Sequence, residues 1–319
     1  MSKHLFGLVV TPYGTAANNR GETIAPATTT LQKIIWNGDI HTTVSAEAIR
    51  WAIRWHWQRK LGDGGLNRQW KDGESRHVWQ DAEFQKWAEH LDDDVLGFMS
   101  AKAAKEETNE AESGGGATTS SKGAKKRPRG TIDKRRARLE ITRAISLTPW
   151  PGDVTFNAAS IGATPSASST GKDPVPYATE LHATRYQYGF ALTPEDLEQK
   201  ERALEVVDAI VNLSEVAGNH ARFLYDFSPD SVIFRWTDDF APRMLYGFRS
   251  SEKGNLTIPD VIRCVKAGDI DPKELIIGGS IGASEEIKGL PQGVVVKDGV
   301  KAAAEEIKTR MATYLKIKA

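Results

Sequence analysis

Arg50 and Arg54 stand four residues apart in the run "VSAEAIRWAIRWHWQRK" (44–60), which also carries three tryptophans. Side chains at that spacing lie on one face of a helix, and on a helical wheel the two arginines share a narrow polar stripe on an otherwise apolar surface. Ser45 suits the N-cap, so unpaired backbone amides point out of the same end. Amides and guanidinium groups together can bind a phosphate. Pairing with polar neighbours on the helix would explain the same arginines without a ligand.

Three short loops offer similar chemistry, because amides, hydroxyls and cations on turns can reach a phosphate or a ribose hydroxyl. The candidates are Asn18, Asn19 and Arg20 in "YGTAANNRGE" (13–22), Asn219, His220 and Arg222 in "AGNHAR" (217–222), and Gly279 and Ser280 in "GGSIG" (278–282). The last of these could form a backbone nest for an anion. Plainer interpretations are a turn cluster for the first loop, a helix C-cap at Gly218 for the second, and an ordinary glycine turn for the third.

The composition excludes several classes of protein. The 319 residues include 42 basic and 42 acidic side chains, which argues against a surface that grips nucleic acid everywhere but allows a local basic patch. The single cysteine, Cys264, excludes an internal disulfide and indicates a reducing compartment. The early apolar run 5–10 is too short for a membrane span and lacks a signal-peptide pattern, so we expect a cytoplasmic protein that does not bind membranes.

Motifs for catalysis are missing from the sequence. It contains no HExxH, nucleophile elbow, P-loop or dinucleotide fingerprint, and no two histidines have a metal-ligand spacing. "HLDDD" (90–94) could hold a divalent ion weakly, although acidic runs of this kind are common at helix ends. We therefore expect no enzyme activity, no cofactor and no bound metal.

The elements that must position the candidate residues alternate along the chain. Strands are predicted at 5–10, 136–147, 182–192 and 222–237, and helices at 45–60 and 193–213. The second helix has Thr193 as its predicted N-cap, Pro194 at its first position and an apolar stripe. The order β–α–β–β–α–β is that of the ferredoxin-like fold of RNA-recognition domains, so the predicted fold class is α+β.

Two long insertions interrupt this core, which we assign to 1–60 and 136–248. The first, 62–135, is predicted to be partly helical at "DAEFQKWAEHL" (81–91). Its linker, about 100–130, has no large apolar residue and is expected to be disordered, because it cannot bury enough surface to offset its chain entropy. The end of this insertion, 122–138, carries nine basic residues and one acid and is either a solvated loop or a nucleic-acid contact.

The second insertion, 150–181, is rich in Pro, Gly, Ser and Thr and lacks a core-like pattern. Because it is too poor in apolar residues to fold on itself, its few large ones are expected to find partners outside their own subunit. Residues 249–319 form a final strand–helix part that packs on the core.

The run "HTTVSAEAIRWAIRW" (41–55) resembles the signature S-x-(Q/E)-A-(I/L)-(K/R)-x-A-x-R of CRISPR-associated protein family seven. "GNHARFLYDFSPDSVIFRWTDDFAPRMLYGF" (218–248) and "KELIIGGSIG" (273–282) resemble its DevR-like branch. The resemblance extends from Leu5 to about Gly282. It implies a modified RNA-recognition core and the backbone subunit of a type I Cascade surveillance complex, in which several copies polymerise along one guide RNA (crRNA).

The resemblance also implies how such a subunit binds and with what. It should contact the sugar–phosphate backbone of any guide and leave the base edges free to pair with target DNA. Besides the three loops, the implied RNA-binding residues are His41, Ser45, Arg50 and Arg54. Further implied partners are neighbouring copies, a subunit that caps the guide's 5′ end, a large subunit, and a nuclease–helicase or transposition proteins.

The position of 150–181 corresponds to the family's thumb, a hairpin that reaches the neighbouring copy and flips out one guide nucleotide at intervals. Candidate wedges there are Phe156, Ile161 and Tyr177; a surface loop is the plainer interpretation. Two alternatives to the Cascade backbone stay open. One is a free-standing single-stranded RNA-binding protein of the same core fold that never polymerises. The other is a type III-like backbone, in which a loop aspartate, here Asp153 or Asp173, cleaves target RNA with a divalent ion.

Overall fold

The computed structural model describes residues 2–17, 20–25, 28–101, 132–158, 177–216, 225–251 and 254–318 of an α+β protein. The described helices are α1 Ala46–Leu61, α2 Leu91–Leu96, α3 Arg202–Val211, α4 Pro259–Ala267, α5 Glu285–Lys288 and α6 Val300–Leu315. The described strands are β1 His4–Val10, β2 Gly14–Ala16, β3 Arg20–Ala25, β4 Thr28–Leu31, β5 Lys33–Trp36, β6 Asp39–Val44, β7 Arg68–Lys71, β8 Arg76–Trp79, β9 Phe98–Ala101, β10 Ile132–Arg135, β11 Leu139–Ile141, β12 Ala144–Ser146, β13 Val154–Asn157, β14 Tyr177–Glu180, β15 His182–Thr184, β16 Tyr186–Leu192, β17 Ser231–Thr237, β18 Arg249–Ser250, β19 Leu256–Thr257, β20 Leu275–Gly279 and β21 Val295–Lys297.

One large sheet organises the described part of the chain. Its strands lie in the order β21-β20-β17-β1-β16-β12-β6-β5, and β11 also pairs with β16. Strand β1 lies between β17 and β16 and is antiparallel to both, and β16 is antiparallel to β11 and β12. Helix α1 precedes β11 in the chain and α3 precedes β17. The predicted strands at 5–10 and 182–192 and the predicted helix at 45–60 are confirmed.

The large sheet is covered on both faces over its central strands, because side chains alternate along each strand. On β1, Leu5 and Val9 point to one side, and Phe6, Leu8 and Val10 to the other. The first side packs against α1, α3 and α6. The second side packs against the chain between 244 and 290, which includes α4. Within the described ranges, no helix has the length and apolar character needed to cross a membrane.

The second predicted helix begins later than expected. The chain makes a short 3₁₀ turn after Thr193, and α3 begins only at Arg202, so the predicted N-cap is wrong. The Thr193 hydroxyl instead lies 2.8 Å from Nδ1 of His4. Two backbone amides ahead of α3 donate to the carboxylate of Asp94, which holds this stretch in an irregular turn.

The helix predicted at 81–91 is also wrong. In this stretch only Trp87–Glu89 form a 3₁₀ turn, and α2 follows it. The Asp81 carboxylate accepts the amides of Glu83 and Lys86 and so ties the segment into a loop. Ahead of it, β7 and β8 form a two-stranded hairpin, which the charged sequence does not indicate.

The described ends of the second insertion pair with the segment that follows β1. Strand β14 pairs in parallel with β4, and β13 and β3 complete a four-stranded sheet, which we call the satellite sheet. Beside it, β15 pairs with β2. The described ends of the predicted thumb are therefore hydrogen-bonded to strands that follow β1 in the chain. Ile161, Asp173 and nearly all of the predicted linker at 100–130 lie outside the described residues.

Candidate nucleic-acid interface

A cluster of hydroxyl and imidazole groups lies at the end of the large sheet where β1 stops and β16 starts. We call it the strand-end cluster; its members are Thr11, Thr42, Thr148, His182, Thr184, Tyr186 and Tyr225. The Thr11 hydroxyl is 2.6 Å from the Tyr225 hydroxyl and accepts the amide of Tyr186 at 2.9 Å. Tyr225 also donates to the carbonyl of Thr184. These bonds tie β15, β16 and the chain before β17 to the end of β1.

Two buried histidines belong to the same region. His182 places Nδ1 2.7 Å from the Thr42 hydroxyl and Nε2 3.3 Å from that of Thr148. Burial, together with the nearby His41, lowers the pKa of His182 to about 4, so its imidazole is neutral at physiological pH. His41 is only 7 % exposed, and its Nδ1 lies 2.7 Å from the Ser146 carbonyl. His41 therefore joins β6 to β12, and its burial argues against the direct RNA contact that was predicted.

The chain itself fills the predicted nest at Gly279 and Ser280. Gly279 has a φ of 97°, and a Cβ there would lie 2.1 Å from the Asp230 carbonyl oxygen, so only glycine fits. The Ser280 amide donates to that carbonyl, and the amide of Ile281 donates to the Ser231 hydroxyl. These amides are not available to an anion, which contradicts the predicted backbone nest. The Ser280 hydroxyl is exposed and donates to the Asp230 carboxylate.

Arg185 is a cation at this end of the sheet that sequence reasoning missed. Its Nη1 donates to the Thr11 carbonyl at 3.0 Å and lies 3.1 Å from the Asp230 carboxylate. The Asp230 carboxylate neutralises the charge of Arg185. The role of Arg185 is therefore to join strands, and it does not offer a free positive charge. The sequence feature that could have identified Arg185 is its position as an arginine within the largely aromatic and apolar run "HATRYQYGFAL" (182–192).

The chain enters two of the predicted loops from this same end. Asn18 and Asn19 follow β2, whose partner β15 borders the strand-end cluster, and Asn219, His220 and Arg222 precede Tyr225. These five loop residues lie outside the described residues. Arg20 lies in β3, of which only the backbone is described. The fold thus brings together the attachment points of loops that are far apart in the sequence.

Of the two predicted arginines on α1, one faces inward. Ser45 caps α1 as predicted and accepts the Ala48 amide at 3.2 Å. Arg54 places Nε 3.4 Å from the Asp92 carboxylate, and only 18 % of its side chain is exposed. The first insertion therefore covers this part of the polar stripe, and Arg54 is not free to bind a phosphate. Arg50 is half-buried, and its Nε has no hydrogen-bond partner among the described residues, so it stays a candidate.

The acidic run of α2 is buried, and two of its three carboxylates pair with cations of the chain. Asp92, Asp93 and Asp94 are at most 1 % exposed. Asp94 lies 2.7 Å from Nη1 of Arg202 and also pairs with Arg135. In the described part of the chain, no group of His, Cys, Asp or Glu is placed to hold a metal ion. Asp92 and Asp94 join the first insertion to α1 and α3, whereas Asp93 accepts the side-chain amide of Asn67 within the insertion, so the run has a structural role.

The described part of the basic run 122–138 is also largely engaged. Arg135 lies over the Trp87 ring at 4.1 Å in addition to its pairing with α2. Arg138 lies 3.7 Å from the Asp196 carboxylate. Arg136 pairs with Glu140 while 79 % of its side chain is exposed, and Lys134 is exposed as well. Residues 122–131 of the run lie outside the described residues.

Asp93 should make the fold less stable as the pH rises. Burial, with the charge of Asp92, raises the pKa of Asp93 to about 7, above the value of about 4 expected in the unfolded chain. Such a carboxyl group contributes stability below its unfolded pKa, and that stability is lost as the pH rises through the folded pKa. We expect Asp93→Asn to raise the free energy of unfolding by about 1–3 kcal/mol at about pH 8, and this gain should vanish near about pH 4. Urea denaturation of both proteins across this range measures the difference; a gain that does not change with pH would contradict the assignment.

Phe156 lies on β13, one of the two edge strands of the satellite sheet. It is 80 % exposed, and Val154, two residues earlier on the same face of the strand, is 46 % exposed. Tyr177, the other predicted wedge that is described, is half-buried on β14. An exposed apolar pair on an edge strand is typical of a surface that contacts another molecule.

These features define an α+β protein whose sheet faces are closed over the central strands and in which the attachment points of two polar loops lie at one end of the sheet. The chain is 49 % identical over 313 residues to the "CRISPR-associated protein Cas7/Cst2/DevR" of Myxococcus xanthus (strain DK1622), covering 95 % of this chain and 96 % of that protein. Two solved structures have a similar fold. A chain of a "CRISPR RNA-guided surveillance complex, pre-nicking" matches with a TM-score of 0.58 and 14 % identity, covering 97 % of this chain and 100 % of the other. A chain of a "CRISPR RNA-guided surveillance complex" matches with a TM-score of 0.52 and 12 % identity, covering 97 % and 99 %.

No family model matches the chain. The identity to the Myxococcus protein nevertheless extends over nearly the whole length of both chains. The protein therefore belongs to the Cas7/Cst2/DevR family of CRISPR-associated proteins, and the resemblance found in the sequence is confirmed.

Proposed function

We propose that this protein is a backbone subunit of a type I CRISPR surveillance complex. It binds the guide RNA, polymerises along it and presents it for pairing with target DNA. The observation that carries this proposal is the 49 % identity to a Cas7/Cst2/DevR protein over 95 % of the chain. The similar fold of chains from RNA-guided surveillance complexes agrees with it.

The core of the subunit is proposed to be a modified RNA-recognition module of the ferredoxin-like type. In support, the first and third core strands, β1 and β16, lie in the middle, and β17 and β12 flank them. An ordinary RNA-recognition domain stacks bases on its open sheet face. Here the chain between 244 and 290 covers that face over the central strands, so RNA binding falls to loops and edges. This suits a protein that must hold any guide, since backbone contacts carry no sequence information.

The guide is proposed to lie across the end of the sheet that carries the strand-end cluster. The cluster is buried and fixes the strands, and the loops that leave this end supply the contacts. The proposed contacting residues are Asn18, Asn19, Arg20, Asn219, His220 and Arg222, together with the Ser280 hydroxyl. Arg50 on α1 is proposed to hold a phosphate, because its side chain is half-buried on the polar stripe and makes no ion pair among the described residues.

Copies of the subunit are proposed to meet through the satellite sheet, where Phe156 projects from an edge strand. The further partners would be the subunit that caps the guide's 5′ end, the large subunit, and a nuclease–helicase or transposition proteins. The proposed location is the cytoplasm.

The subunit is proposed to lack nuclease activity of its own. The type III-like alternative needs a loop aspartate with a divalent ion. Asp153, the described candidate, uses its backbone carbonyl to accept the Leu181 amide at 3.1 Å, which suits a residue that closes the base of the satellite sheet. A metal-dependent cleavage of target RNA that is lost on Asp153→Ala would establish the alternative.

Assembly on RNA tests the proposal most directly. We expect binding to be cooperative and native mass measurements on RNAs of increasing length to show stepwise addition of whole subunits. Unrelated RNA sequences should give the same steps, because the contacts are to the backbone. If the protein binds long RNA only as independent single copies, the free-standing RNA-binding alternative takes its place.

A further inference from the structure

We propose that the outer face of the β5–β6 hairpin, with Trp36, Tyr246 and Arg143, is a stacking site for one base of a single-stranded RNA. Trp36 would stack on the base, Tyr246 would hold the Trp36 ring in place, and Arg143 would hold the adjoining phosphate. We call this surface the edge platform. It rests on the proposed function only in requiring that the protein binds RNA, and it adds a base-stacking site to the loop contacts.

The register of the hairpin places the polar and aromatic side chains together. Ile34 pairs with His41, and Trp36 pairs with Asp39, so these four side chains share one face of β5 and β6. Thr42, on the opposite face, bonds to the buried hydroxyl of Tyr186 on the helical side of the large sheet. The edge platform therefore lies on the side away from α1 and α3.

The chain between 244 and 290, which covers this face of the large sheet over its central strands, leaves β5 and β6 uncovered. The apolar residues of the second core come from β1, β17 and β20 and from the chain between 244 and 290; in the described ranges none comes from β5 or β6. The covering segment ends toward β5 at Tyr246, whose ring lies 5.0 Å from that of Trp36 at 55°. At this edge, β5 and β6 therefore leave a part of the RNA-recognition face uncovered, on which a base can still stack.

Tyr246 is held at this border against the preference of its backbone. Its φ is 55°, in the left-handed region that a bulky residue rarely adopts. Its hydroxyl donates to the Arg143 carbonyl at 2.9 Å, which fixes the ring beside Trp36. Strained residues of this kind cluster at binding sites, where the surrounding structure enforces a required orientation.

Arg143 supplies a positive charge that no acid of the described chain neutralises. Its Nη1 donates to the Gln32 side chain at 3.1 Å and to the Thr43 hydroxyl at 3.2 Å, and these neutral groups leave its charge intact. Nearby Arg249 differs, since it lies 2.8 Å from the Asp260 carboxylate. An aromatic pair beside an uncompensated arginine complements a base with its phosphate.

The other face of the same hairpin offers different chemistry. It exposes Ile35 at 78 % and Ile40 at 49 %, directly opposite each other, and this aliphatic pair suits a protein contact. The contrast between the two faces favours RNA as the occupant of the edge platform.

The test measures the affinity of single copies for a short, unstructured RNA. We expect Trp36→Ala to weaken binding about tenfold without changing its salt dependence, and Trp36→Phe to restore most of the loss. Arg143→Gln should reduce the slope of log affinity against log salt by about 0.7, the value for one phosphate contact on a single strand. Trp79→Ala is the matched control, because Trp79 is a part-exposed tryptophan on the unrelated β7–β8 hairpin, and it should leave affinity within about twofold.

An abasic RNA of the same length separates stacking from backbone contact. Wild type and Trp36→Ala should bind it equally, whereas Arg143→Gln should still bind it more weakly. If the wild type binds the normal RNA but Trp36→Ala behaves like the Trp79 control, the edge platform is refuted and the proposed function stands. The edge platform is refuted as well if Trp36→Ala alters only the number of copies on long RNA, since that outcome would make it a protein contact. If the wild type binds no RNA, the proposed function fails too.

Discussion

Replacing Asp94 with alanine should lower the free energy of unfolding by about 3–5 kcal/mol. The Asp94 carboxylate is fully buried, and it pairs with Arg202 and Arg135 while accepting the amides of Glu198 and Gln199. Its loss leaves a buried guanidinium without a counter-charge and two amides without an acceptor. Urea denaturation, followed by circular dichroism, measures the change.

Asp196→Ala provides the matched control for this prediction. Asp196 also pairs with an arginine, Arg138, but the distance is 3.7 Å and 55 % of the Asp196 side chain is exposed. Its replacement should cost less than about 1 kcal/mol. Equal losses for the two variants would mean that Asp94 does not join the first insertion to α3 in the way described.

Assembly into multiple copies should be lost when the exposed pair on β13 becomes polar. The double change Val154→Thr and Phe156→Ser removes the apolar surface of the satellite sheet's edge while keeping a β-branched residue at the first position. Both side chains are exposed, so the fold should be unaffected, with a melting temperature close to that of the wild type. Single copies should still bind short RNA, whereas the stepwise masses on long RNA should collapse to independent occupancy.

Phe240→Ser is the control for the assembly prediction. Phe240 is 77 % exposed, nearly as much as Phe156, but it lies against His4 at the other end of the large sheet. It should leave the steps unchanged. Normal assembly by the β13 variant would remove the satellite sheet from the proposed contact between copies.

Helix α1 illustrates what local sequence can predict. Its cap at Ser45, its apolar faces and its length depend on neighbours within a few turns, and these were predicted correctly. The polar stripe of α1 is covered in part by Asp92, a residue far along the chain. A helical wheel identifies Arg54 as polar but cannot distinguish a solvent-facing arginine from one that meets a buried carboxylate.

The same limit explains the errors at Thr193 and at Gly279. Thr193 is a favourable N-cap residue, but no helix begins there, because the distant carboxylate of Asp94 accepts backbone amides farther along the chain. The glycine cluster at 278–282 has the sequence pattern of an anion nest, but its backbone amides donate to Asp230 and Ser231 instead. The strands at 5–10 and 182–192 and the helix at 45–60 were predictable because hydrophobic periodicity is local, whereas the partners of buried polar groups are set by tertiary contacts.

The satellite sheet and the neighbouring β2–β15 pair also have a consequence for how the protein is made. Thr28 on β4 pairs with Ala178 on β14, and Thr15 on β2 pairs with Ala183 on β15. Strands near the start of the chain therefore pair with strands that are translated much later. Pairings between such distant segments form slowly, because a long loop must close before any contact forms. Until the ribosome has delivered residues up to about 184, the early strands have exposed edges that can pair with other nascent chains.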